Sequence, residues 1–114
     1  MSDTIRERIQ SYQSEILKGN LMPQRAAEIL TEMSALLGNI NEEITQRDIA
    51  YNKILLKELD LEKSANKAKI KAGITEEYEA MRTARNTEKV AIEVIRGLKY
   101  YLKSREEEFR QSNN

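Results

Sequence analysis

Ala65-Asn66-Lys67-Ala68-Lys69-Ile70-Lys71-Ala72-Gly73-Ile74-Thr75-Glu76-Glu77-Tyr78 is the stretch whose reading decides the fold. Lysines and small residues at helical spacing run into Gly73. That is the clearest stop on the chain, because glycine can take the left-handed conformation that ends a helix. Thr75 follows as an N-cap, and Glu76 and Glu77 fall in a first turn, where the helix dipole favours anions. The stretch reads as a turn at residues 72–75 between two helices.

Working outward, apolar residues recur at spacings of three and four on both sides, the signature of amphipathic helix. Upstream, Pro23 suits the first turn of a helix. Ala26, Ile29, Leu30, Met33, Leu37, Ile40, Ile44, Tyr51, Leu55, Leu59, Ala65, Ala68 and Ala72 continue it. Uninterrupted to Ala72, this helix is a rod of about 75 Å at 1.5 Å per residue. Gly38 and Asn39 are its weak point, since Gly is about 1 kcal/mol worse than Ala in a helix interior. Downstream, Tyr78, Met81, Arg85, Ile92, Ile95, Lys99 and Leu102 mark the seam of a helix reaching about Phe109. A tight turn at Gly73 then pairs Leu55 with Ile92, Tyr51 with Ile95 and Ile44 with Leu102. The expected architecture is all-α: a long antiparallel helical hairpin, coiled-coil-like, over residues 38–110.

Residues 1–37 form an N-terminal element outside that hairpin. Ile5, Ile9, Tyr12 and Ile16 give a short first helix, stopped by Gly19 and Asn20. Helix, glycine turn and second helix resemble a helix-turn-helix, but Glu28 and Glu32 stand where base-reading residues belong. Docking or dimerisation suits this element better, with Ile29, Leu30, Met33 and Leu37 as its oligomer interface. Apolar residues off the seam (Ile49, Leu56, Leu61, Ile70, Val90) need cover, which points to packing of the N-terminal helices or to a homodimer or larger assembly. Gln111 to Asn114 read as a disordered tail.

Composition narrows the chemistry. The 114 residues are 33% charged and 39% apolar, with four Gly, one Pro, no Cys and no His. Without Cys there is no disulfide framework, thiol nucleophile or zinc ribbon. Without His the usual neutral-pH proton shuttle and the commonest metal ligand are missing. The carboxylate pairs Glu42 with Glu43, Glu58 with Glu62, and the run Glu106 to Glu108 lack the Glu-x-x-His spacing of helical di-iron sites. No glycine-rich phosphate loop or nucleophile elbow occurs. The expectation is a non-enzymatic protein with no cofactor and no metal site. No apolar run approaches the roughly 20 residues that cross a bilayer. With no signal-peptide pattern and no cysteine staples, a soluble cytoplasmic protein is expected, away from membranes.

Formal net charge is zero, but it is unevenly placed. Residues 63–105 hold 11 basic and 5 acidic side chains, a net of +6. Lys63, Lys67 and Lys71 share one face of a continuous helix at i, i+4, i+8, with Arg82 and Arg85 on the returning helix. Such a row can follow a phosphate backbone and release its counterions. Further along, Tyr100 lies on the outer face beside Arg96 and Lys103, where an aromatic ring can stack a base between cations. The same triplet suits a protein interface. Two functions stay open at this point: contact with DNA or RNA, or with a nucleoprotein complex, through this basic face, and a pure protein–protein effector.

From about Ile44 to Arg110 the chain resembles a group of small helical proteins encoded in bacteriophage and prophage genomes. The matching features are the Lys/Ala-rich run Ala65 to Ala72, Thr75-Glu76-Glu77-Tyr78, and Ile95-Arg96-Gly97-Leu98-Lys99-Tyr100-Tyr101-Leu102-Lys103-Ser104 with Glu106-Glu107-Glu108 after it. The resemblance implies a phage accessory protein of the early replication and recombination region, and so a host-cell cytoplasmic location. Its counterpart in the second reading is a phage-encoded inhibitor of a host protein. It supplies no activity and no catalytic residue.

Overall fold

A computed structural model describes residues 3–112 as an all-α chain of four helices: α1 (Asp3–Leu17), α2 (Pro23–Leu61), α3 (Ala65–Ala72) and α4 (Glu76–Ser112). The local sequence accounts for most of the boundaries. α1 stops at Gly19, whose φ of +81° is the left-handed conformation glycine tolerates, and whose N–H donates to the Ile16 carbonyl at 3.2 Å. Pro23 opens α2 as expected. Gly38 leaves α2 unbroken: the backbone stays helical there, and a Cβ on it would meet nothing within 4 Å.

The long second helix ends sooner than its apolar stripe suggests. α2 finishes at Leu61, and residues 62–64 break the chain before α3. Ser64 adopts extended angles (φ −107°, ψ 126°) and its side chain accepts from the Lys67 N–H at 3.4 Å, the geometry of an N-cap. The rod to Ala72 is therefore two helices, with Ser64 the punctuation. Gly73 differs too. Its φ of −73° is right-handed, so no left-handed stop is used there. Three backbone bonds tighten the turn instead: Gly73 N–H to Lys69 C=O at 2.9 Å, Ile74 to Lys71 at 3.4 Å, and Thr75 to Ala72 at 3.3 Å. The Thr75 hydroxyl oxygen accepts from the Tyr78 N–H at 3.3 Å and caps α4.

The chain forms two compact units. In residues 39–88, α3 packs with the second half of α2 and the first half of α4, and Ile40, Ala68, Ala72, Ala84 and Thr87 are buried. Alanines at 68 and 72, both fully buried, let the short helix sit close to its neighbours. The hairpin is real but its register differs from expectation. Tyr51 meets Tyr78 at a ring-centroid distance of 5.4 Å, and Asp48 accepts from Arg85 at 2.7 Å. Tyr51 had been expected against Ile95. The return leg from 62 to 75, α3 included, does not extend α2, so pairing pivots about that whole segment rather than about Gly73.

The second unit joins residues 3–38 to residues 89–112. Residues 3–38 thus share a core with the end of α4, and along α2 the chain passes from this unit to the other between Gly38 and Asn39, next to the expected boundary at 37/38. Ile9 and Tyr12 of α1, Ala26, Ile29, Met33 and Leu36 of α2, and Ala91, Ile95 and Leu98 of α4 are buried here. Arg25 ties α2 to α1 through two bonds to Glu15, at 2.6 and 3.0 Å, with its guanidinium 6.0 Å from the Tyr12 ring. Glu28 takes a third bond from Arg25 at 3.1 Å. The two-bond fork fits guanidinium to carboxylate. Ile29 and Met33, expected at an oligomer interface, are 0% exposed in this core and unavailable to a partner. Leu30 and Leu37 are half-buried. Of the expected disordered tail, Gln111 and Ser112 are the last residues of α4, while Asn113 and Asn114 lie outside the described residues.

Candidate functional site

The basic residues are divided between the two units. Lys63, Lys67, Lys71, Arg82 and Arg85 belong to the 39–88 unit, and Arg96, Tyr100 and Lys103 to the other. Lys63 lies in the 62–64 break, so the lysine row on one helix face shrinks to Lys67 and Lys71. Three of the cations have carboxylate partners. Lys71 donates to Glu62 across the α2–α3 corner, and that hydrogen bond raises its pKa above the ordinary lysine range. Arg85 holds Asp48 at 2.7 Å, and Arg96 holds Glu93 at 2.6 Å. Lys63, Lys67, Arg82 and Lys103 are exposed, with no ion-pair partner among the described residues. Tyr100 is 75% exposed.

One concavity of the molecule is apolar. In the unit of residues 3–38 and 89–112, a groove of about 1010 Å³ runs between the end of α1, the loop before α2, and α4. Ile16 and Leu17 line one wall, Leu21 and Met22 the loop side, and Val90, Val94, Gly97 and Leu98 the α4 side. The Tyr101 hydroxyl donates to the Leu21 carbonyl and pins the loop to α4 at the groove's edge. Leu17 is 84% and Met22 66% exposed, so the lips are greasy as well as the floor. Lys89 and Arg105 stand on α4 at the two ends, with Glu93 between them engaged by Arg96.

Gly97 stands out in this lining. It sits inside a helix, where glycine is unfavourable, and a Cβ there would meet nothing within 4 Å. Packing within the chain does not require it. Its effect is to leave the α4 backbone bare along the groove. The sequence reading missed this site. The available signal was Leu17, Leu21 and Met22, three apolar residues off the Ile5–Ile16 stripe beside a glycine turn, together with a glycine in the middle of a strong helix.

Among the described residues no group of three His, Cys, Asp or Glu gathers to hold a metal ion, and no helix is long and apolar enough to cross a membrane. No family model, curated protein or solved structure matches the chain.

Proposed function

We propose that this chain is a non-enzymatic helical interaction module that acts by apolar contact with protein at the α1/α4 groove. The observation that carries the reading is an open groove with exposed leucine and methionine lips, floored by a glycine that the fold itself does not need. Grooves of this kind take the apolar face of an amphipathic helix. The protein-effector reading gains from the pairing of Lys71, Arg85 and Arg96, which thins the face a nucleic acid would use. The resemblance to phage accessory proteins, carried by Thr75 to Tyr78 and Ile95 to Ser104, sets such a module among regulators or scaffolds of larger complexes.

The test is site-specific photo-cross-linking from benzoylphenylalanine placed at Met22 or Val90, with Asn66 as a control position. The reading expects a discrete protein adduct, to this chain or to another, from the two groove positions and none from Asn66. An alternative outcome overturns it: no adduct from either lip, with a labelled oligonucleotide bound at physiological salt and released by the substitution pair K63E/K67E.

A further inference from the structure

We infer that the groove takes an acidic amphipathic helix of another protein, with an apolar stripe that fills the channel and carboxylates along the stripe's margins. This rests on the groove reading above and adds the partner's charge.

Shape sets the first condition. Lys89 and Arg105 bound the lining on α4, a span of about 24 Å at 1.5 Å per residue, which a helix of roughly four turns matches. A flat lipid surface cannot enter a concave channel. A phosphate backbone has no apolar face to set against Ile16, Val94 and Leu98. Gly97 leaves the α4 backbone bare there, which gives room to a bulky side chain of the partner's stripe.

Charge sets the second. The lining contains one carboxylate, Glu93, and Arg96 holds it at 2.6 Å. Of the two lining cations, Arg105 is held by Glu108 at 3.3 Å. Lys89 is exposed and has no ion-pair partner among the described residues. The acid at its i+4 position is Glu93, the one that Arg96 engages. Lys18 is exposed as well, between the lining residues Leu17 and Gly19. It attracts Glu15, but both oxygens of that carboxylate accept from Arg25, at 2.6 and 3.0 Å. The groove is therefore bordered by two cations without ion-pair partners among the described residues, one at the end of α1 and one on α4. Acidic margins on the partner helix meet both favourably, and basic margins meet them as like charges.

The experiment is fluorescence anisotropy with three labelled synthetic peptides of about 18 residues, long enough to run the groove as helix. All carry the same leucine stripe, flanked by Glu in one, Gln in the second and Lys in the third. The protein is the full chain, as wild type, K18E/K89E and Gly97→Leu. Wild type is expected to bind the Glu-flanked peptide at least about tenfold more tightly than the Lys-flanked one, with the Gln-flanked peptide between. That ratio is expected to shrink in about 1 M salt, since the lysines are exposed. K18E/K89E, changed at two exposed positions, is expected to reverse the order. K18Q/K89Q, expected to level it, takes its place if circular dichroism shows that the double Glu variant does not fold. Gly97→Leu fills the channel at unchanged charge and is expected to weaken the Glu-flanked peptide at least about tenfold. Equal affinity for the three peptides, tighter binding of the Lys-flanked one, an order that survives K18E/K89E, or no peptide bound overturns the inference. Equal affinity that is lost in Gly97→Leu removes the acidic partner and leaves the groove reading standing. No peptide bound, with no adduct from Met22 or Val90, removes both.

Discussion

Arg25 and Met33 show how single side chains fix the N-terminal half of the molecule. The Arg25 guanidinium, by its hydrogen bonds to Glu15, holds that carboxyl below the ordinary glutamate range, near 4.3 in unfolded chains. The folded pKa is depressed, so the unfolded chain binds the extra proton and stability rises with pH across the window. The contribution is complete above the ordinary value and disappears as pH falls through the folded one. Comparing urea midpoints of wild type and Glu15→Gln from pH 7 down to pH 3 is expected to show a gap at neutral pH that closes on acidification. Met33 is fully buried, and Met33→Ala is expected to remove about 2–5 kcal/mol in urea unfolding. The loss is expected to be independent of protein concentration, since the side chain belongs to the chain's own core; an interface residue would give a concentration-dependent loss.

At the scale of helices, capping chemistry outranks the apolar stripe. The spacing of Leu59, Ala65, Ala68 and Ala72 continues one helical face, and that made α2 and α3 look like a single rod. Ser64 interrupts it because a hydroxyl able to accept from the Lys67 N–H competes with the helical backbone. Periodicity reports which face is buried and is blind to a short break that preserves it. Ser64→Ala is expected to lower stability by about 0.5–2 kcal/mol, read as a shift in denaturant midpoint. Gly38 is the complementary case. Local propensity left open whether it breaks α2, and the flanking Leu36 and Ile40 are buried and carry the helix through. Gly38→Ala is expected to raise stability by roughly 0.5–1 kcal/mol in thermal or urea unfolding, since the added methyl meets open space.

For the molecule as a whole, helix class, the stop at Gly19, the start at Pro23 and the Thr75 cap were all readable from local residues. The pairing was not. Two amphipathic stripes align in several registers a few turns apart, and only the α3 insertion, set by Ser64, places Tyr51 against Tyr78. The groove was hidden for a related reason: it is made where α1, a loop and the far end of α4 converge, and no sequence window contains all three. The basic residues were the most visible feature, yet Lys71 and Arg85 are engaged by carboxylates that sit near them only after folding. What the folded chain offers instead is an apolar channel bared by Gly97. The direct measurement is cross-linking yield from Met22 as Gly97 is replaced by Leu. A leucine there fills the channel from an exposed helical site, so the melting temperature is expected to hold or rise while the adduct falls at least tenfold. An unchanged adduct in a well-folded Gly97→Leu protein would contradict the account.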